Sequence, residues 1–72
     1  MELEVALGMV KAGTMSNDEL LDFARRSGDQ YVWEAASQQL NLKGLTDTQL
    51  LELRAKTYNQ NVWSVIDAVM KQ

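Results

Sequence analysis

Apolar residues recur along the chain at helical spacing, and the first such stretch predicts a helix over residues 2–12. Its apolar positions follow the i, i+3, i+4, i+7 pattern that places side chains on one helix face. Gly13 follows and is expected to end the helix in the left-handed conformation. Val5 and Met9 lie four residues apart on the opposite side and form a second apolar strip. The main stripe consists of Leu3, Ala6, Leu7 and Val10.

The second helix is predicted by its start signal. Ser16 and Glu19 are spaced as a capping box, in which each side chain satisfies a free backbone amide of the other residue. Met15 before the cap is placed to pack on Leu20 after it. The helix is expected to continue to about Arg26 and to end at Gly28. Its predicted buried residues are Leu20, Leu21, Phe23 and Ala24.

The third helix is predicted to begin after the N-cap Asp29 and to stop near residues 43–44. Its apolar face carries Val32, Trp33, Ala36 and Leu40. Both tryptophans of the chain, Trp33 and Trp63, are expected to pack in the core, and the alternative is a pair of aromatic anchors for a partner on an exposed face.

The pattern then restarts thirty residues later. Thr46 and Gln49 repeat the capping box, and Asn59 repeats Asp29 as a cap. Identical or similar residues recur in step between 15–40 and 45–70. Leu50, Leu51 and Leu53 stand where the first copy has Leu20, Leu21 and Phe23, and Val62, Trp63, Ile66 and Met70 stand where it has Val32, Trp33, Ala36 and Leu40.

Five short helices and no strand pattern predict an all-α domain spanning residues 1–72. The first helix aligns with the second helix, B, of each A–B pair, so the predicted order is B-A-B-A-B. The parts are a lone helix over 1–13, one repeat over 15–43 and another over 45–72. We expect a stack of helical hairpins, and the alternative is a compact five-helix bundle.

The B-helix pattern Asp29-x-x-Val32-x-x-x-Ala36-x-x-x-Leu40 resembles the second helix of HEAT repeats, especially the short HEAT-like ones. An acidic or amide residue starts that helix in the family, a valine follows, and small and then large apolar residues pack inward. The resemblance implies a right-handed helical stack and a protein-binding role, without enzyme activity.

The composition narrows the range of functions. The chain has no His and no Cys, so it lacks the commonest general base, metal ligand and thiol nucleophile. The glycines are too scattered for a phosphate-binding loop. We therefore expect no enzyme activity, no cofactor and no metal. The missing cysteines fit a reducing compartment, and the absence of a long apolar run or a basic signal start favours the cytoplasm over a membrane.

The net charge of −3 weighs against binding to nucleic acid phosphates. A helix-turn-helix regulator is nevertheless the alternative function, because Ala24–Gly28 has the residue types of that turn. Arg25, Arg26 and Arg54 would supply its positive charge. The following helix, predicted to extend to Leu42, carries no Lys or Arg, which makes it a poor recognition helix.

Surplus apolar surface on the end helices is the strongest functional signal, because such surface usually marks an interface. We predict a small non-catalytic adaptor or inhibitor that binds another protein through helix faces, and a homodimer is one form of this. Arg54 either lays its methylenes on an apolar arc with its head in water or stacks near Tyr58 for a carboxylate partner. The candidate partner-binding residues are Val5, Met9, Tyr31, Arg54, Val65 and Val69.

Overall fold

In the computed structural model, which describes residues 2–71, the chain forms five α-helices and one 3-10 turn, and no strand occurs in this range. The all-α prediction is thus confirmed. The molecule measures 36 × 22 × 17 Å. In chain order the elements are α1 (Leu3–Lys11), α2 (Asn17–Ser27), α3 (Gln30–Gln39), the 3-10 turn (Leu42–Gly44), α4 (Asp47–Lys56) and α5 (Gln60–Met70).

The two predicted capping boxes are present. The Glu19 amide donates to the Ser16 hydroxyl at 3.3 Å, and the Ser16 amide donates to the Glu19 carboxylate at 3.1 Å. Thr46 and Gln49 exchange the same pair of bonds at 3.2 and 2.9 Å. Each box satisfies amides that the first helical turn leaves without partners, and such a cap is worth about 0.5–2 kcal/mol.

The predicted ends of α1 and α2 are also confirmed. Gly13 and Gly28 adopt positive φ angles of 73° and 63°, which turn the chain away after each helix. Asp29 then accepts the Tyr31 amide at 2.7 Å, and Asn59 accepts the Asn61 amide at 2.9 Å. The N-caps of α3 and α5 therefore occupy the same position in each repeat.

The predicted end of the third helix near residues 43–44 is wrong, since α3 ends at Gln39. Leu40 has extended backbone angles, φ −68° and ψ 140°. The next residue, Asn41, forms hydrogen bonds with the side chain of Asn17 through both of its backbone groups. The Asn17 side chain donates to the Asn41 carbonyl and accepts from the Asn41 amide, each at 3.0 Å. This clasp keeps the chain extended, and the 3-10 turn follows.

The core lies where the helices meet. α1 and α2 both pack on α3, α4 packs on α5 and α3, and α5 also contacts the 3-10 turn. Trp33 is buried as predicted, whereas Trp63 is only partly buried. Fully burying one large aliphatic side chain contributes about 1.5–3 kcal/mol. The largest fully buried side chains are Leu20, Leu21, Leu50, Leu53, Ile66, Val10, Val32 and Thr57.

The two helical pairs differ in burial although their sequences correspond. Leu21 is 1% exposed, but Leu51 at the same repeat position is 53% exposed. Ala24 is buried, but Arg54 at its position is exposed. The expectation that Leu51 repeats Leu21 in the core is therefore wrong. The second pair has no further helix on this side within residues 2–71, so the corresponding face stays open.

Two smaller predictions of burial also need correction. Phe23 of α2 is half-buried against the core, and Leu3, in the first turn of α1, is 38% exposed.

Candidate protein-binding groove

One repeat position of the B helices differs sharply in burial between α3 and α5. On α3 this position is Ala35, only 8% exposed, and α1 packs against that side of α3. On α5 the same position is Val65, which is 51% exposed. α5 packs on α4 and on the 3-10 turn rather than along α3. The small side chain of Ala35 permits a close helix contact, whereas a groove remains open beside Val65.

This groove runs between α5 on one side and the end of α3 with the 3-10 turn on the other. It consists of two adjoining depressions of about 330 and 280 Å³ that share Ser37, Leu42 and Val65. Val62 lines one depression and Val69 the other. We call these five residues the valine groove. Its apolar side chains come from two elements, so it is a concave surface rather than a helix stripe alone.

The valine groove is nearly uncharged. Lys43 is the charged residue among the side chains that line the two depressions. The rim is formed by amides, including Asn59 and Asn61, and Asn59 is held in place by a 3.1 Å bond that its side chain donates to Glu34. A surface of this kind excludes charged side chains at its centre and accepts apolar ones, as the centres of protein interfaces do.

The six candidate binding residues do not form one site. Val65 and Val69 meet in the valine groove, but Val69 is half-buried and packs against the core. Val5 and Met9 are exposed on α1, the N-terminal helix. Tyr31 is exposed on α3, where it lines a separate depression with Leu7 and Lys11.

Arg54 is engaged within the chain. Its Nε donates to the Asp67 carboxylate at 3.3 Å, and its guanidinium carbon lies 5.3 Å from the centre of the Trp63 ring. The indole Nε1 of Trp63 in turn donates to the Thr57 carbonyl at 2.9 Å. Stacking near Tyr58 is therefore wrong, because the aromatic partner of Arg54 is Trp63.

Arg25 forms the best-defined ion pair, which sequence reasoning missed. Its guanidinium donates to both carboxylate oxygens of Glu52, at 2.6 and 2.9 Å. This hydrogen bonding lowers the pKa of Glu52 and raises the pKa of Arg25. Arg26 pairs with Asp22 at 2.8 Å. Together with Arg54, which pairs with Asp67, all three arginines of the predicted helix-turn-helix alternative thus face carboxylates of the same chain.

No family model, no curated protein and no solved structure matches this chain. Across residues 2–71, no cluster of three His, Cys, Asp or Glu side chains is placed to hold a metal ion. Over the same stretch, none of the helices has the length and apolar character that crossing a membrane requires.

Proposed function

We propose that this protein is a non-catalytic adaptor or inhibitor that binds an amphipathic α-helix of another protein in the valine groove. The observation that carries the proposal is the half-exposed Val65 in a concave, uncharged surface. Helices that bind in grooves insert apolar anchors at i, i+3 or i+4 and i+7. The valine groove offers apolar surface to such anchors from both of its walls.

The chemistry of the groove defines the partner helix. Its buried side should carry aliphatic or aromatic residues, because the centre of the groove, formed by Ser37, Leu42 and Val65, offers no charge to pair with a charged anchor. A carboxylate at one end would meet Lys43, the charged residue at the rim. A charge pair of this kind aids orientation and association rate more than affinity.

Further predictions belong to this proposal. The HEAT-like resemblance supports protein binding, and a cytoplasmic location fits the absence of cysteine. The nucleic-acid alternative has less support, because Arg25, Arg26 and Arg54 all pair with carboxylates.

The test uses one substitution in the groove and one matched control. Val65→Asp places a charge in the groove, while Ser64→Asp adds the same charge on the neighbouring exposed position of α5. We avoid Val69 because a charge there would also disturb the core. A partner captured from the host by the unchanged protein, and then purified, should bind Ser64→Asp normally and Val65→Asp at least tenfold more weakly. Calorimetric titration measures the affinity, and circular dichroism checks that both variants are helical.

Equal affinity of both variants for the purified partner would contradict the proposal. Loss of binding by both variants would show that net charge, rather than the groove, governs recognition.

A further inference from the structure

The two tryptophans occupy the same repeat position but differ in their hydrogen bonds. The indole Nε1 of Trp63 donates at 2.9 Å to the Thr57 carbonyl, where α4 ends, and at 3.1 Å to a carbonyl one turn earlier. On α2 that earlier carbonyl corresponds to Ala24, whose oxygen accepts from the Ser27 hydroxyl at 2.7 Å instead. The indole Nε1 of Trp33 therefore lacks the partners of its counterpart, and it donates to no other acceptor within residues 2–71.

The indole N–H of Trp33 opens into a cleft. Trp33 is only 3% exposed, yet no buried side-chain nitrogen or oxygen in the described part of the chain lacks a hydrogen-bond partner. The indole nitrogen must therefore lie where this side chain reaches the surface. Trp33 lines a depression of about 560 Å³ between α2 and α4, which we call the α2–α4 cleft. Because a tryptophan N–H can only donate, a ligand there has to supply an acceptor.

The α2–α4 cleft also carries an excess positive charge. Three charged side chains line it: Arg25, Glu52 and Lys56. Arg25 and Glu52 neutralise each other in the ion pair described above. Lys56 belongs to none of the salt bridges within residues 2–71, so two cations and one carboxylate leave the lining with a net +1. The whole chain has a net charge of −3, and the cleft is therefore a positive site on an acidic protein.

We infer that the α2–α4 cleft binds a small organic carboxylate with an apolar body. The carboxylate accepts the hydrogen bond of the Trp33 indole and pairs with the ammonium group of Lys56. The apolar body packs on Trp33, Ala55 and Tyr58, which also line the cleft. The volume falls within the range of about 300–1,000 Å³ that is usual for small-molecule sites. A monoanion matches the single unpaired positive charge, whereas a phosphate dianion would leave one negative charge uncompensated.

The α2–α4 cleft and the valine groove are separate sites. None of the five residues of the valine groove lines the cleft, and the cleft is charged where the groove is not. The inference therefore stands independently of the proposed function. Val65→Asp, which should lose the helical partner of the groove, should bind a carboxylate in the cleft as the unchanged protein does.

The test uses phenylacetate as the probe and the two indole N–H signals in nitrogen–proton NMR spectra as the readout. The variant Trp63→Phe identifies the Trp33 signal by removing the other one. In the unchanged protein the Trp33 signal should move saturably, with a dissociation constant on the order of 1 mM for a ligand of this size. The Trp63 signal should stay in place, because its N–H is already bonded within the chain. Phenylacetamide has the same shape without the charge and should move the Trp33 signal much less.

Three charge variants test the electrostatic part of the inference. Lys56→Gln removes the unpaired charge and should weaken phenylacetate binding about two- to fivefold, since Lys56 is exposed. Lys43→Gln removes the same charge from the 3-10 turn, outside the cleft, and should leave the affinity unchanged. Glu52→Gln removes the carboxylate that neutralises Arg25 and should strengthen binding.

Four results would overturn the inference: a Trp33 signal that does not move, equal movement of both indole signals, equal effects of phenylacetate and phenylacetamide, or equal weakening by Lys56→Gln and Lys43→Gln. Loss of phenylacetate binding in Val65→Asp would also overturn it, because the probe would then occupy the valine groove.

Discussion

The difference in burial between the two helical pairs can be measured by making the same substitution at Leu21 and at Leu51. They occupy equivalent repeat positions on α2 and α4, yet one is 1% exposed and the other 53% exposed. Replacing each with alanine removes the same three carbon atoms. Any difference in the free energy of unfolding therefore reports the environment of the side chain.

The expected difference is large for a chain of this size. Leu21→Ala removes buried methyl groups and leaves a cavity, which costs about 3 kcal/mol. Leu51→Ala loses less than half of the transfer free energy and leaves no cavity, so we expect about 0.5–1 kcal/mol. At roughly 0.05–0.15 kcal/mol per residue, the total stability of this 72-residue chain is about 4–11 kcal/mol. Leu21→Ala thus removes about a quarter of it or more.

Urea unfolding followed by tryptophan fluorescence and by circular dichroism measures both values. With a slope of about 1 kcal/mol per molar urea, the midpoint should fall by about 3 M for Leu21→Ala and by less than about 1 M for Leu51→Ala. Leu20→Ala and Leu50→Ala are the control pair. Leu20 and Leu50 occupy one repeat position and are both buried, so the two variants should lose similar amounts of unfolding free energy.

Equal midpoint shifts for Leu21→Ala and Leu51→Ala would refute this reasoning. They would mean that the outer face of α4 is covered in the folded protein.

Two further predictions concern charge and backbone. Hydrogen bonds from Ser16 and from Arg25 lower the pKa of Glu19 and Glu52, respectively, below the ordinary value of a glutamate. Their stabilisation is therefore complete at neutral pH and is lost as the pH falls through the lowered pKa values. The urea midpoint of the unchanged protein should decrease from pH 7 to pH 3. The midpoint of Glu52→Gln should be lower at pH 7 and decrease less over this range. An equal decrease in both proteins would contradict the role of the Arg25–Glu52 pair. Gly8→Ala should stabilise the monomer by about 0.5–1 kcal/mol, since Gly8 lies within α1 with open space around it. Gly28→Ala should destabilise the monomer by about 1 kcal/mol, because Gly28 has a positive φ. Thermal unfolding at low protein concentration measures both, and a shift in the same direction for the two variants would contradict the reasoning.

The helix starts could be predicted because their causes are local. The capping boxes at Ser16 and Thr46 and the caps Asp29 and Asn59 act within three residues along the chain. The end of α3 could not be predicted in this way. It is fixed by Asn17, which lies 24 residues from Asn41, and no apolar spacing records such a contact.

The candidate site could be predicted only in part for a similar reason. The surplus of apolar residues on α5 predicted an open Val65. The valine groove also requires Leu42, whose position depends on the unexpected 3-10 turn. Stacking of Arg54 near Tyr58 was one of two alternatives suggested by helical spacing, yet α4 and α5 form a hairpin that places the Trp63 ring 5.3 Å from the Arg54 guanidinium carbon. Contacts between elements decide these details, and a single repeat pattern does not specify them.

The first helical pair has Ala24 at the repeat position where the second pair has Arg54. This difference affects whether a further hairpin can pack against α4. Ala24 is fully buried, so a covalently following hairpin leaves room for only a methyl group at this position. At the equivalent position of α4 stands the larger side chain of Arg54, whose guanidinium contacts Asp67 and Trp63 of α5. A longer chain in which a third hairpin is fused to α5 should therefore close tightly only when Arg54 is replaced by alanine. In the design of longer arrays from this unit, position 54 is therefore a residue to change.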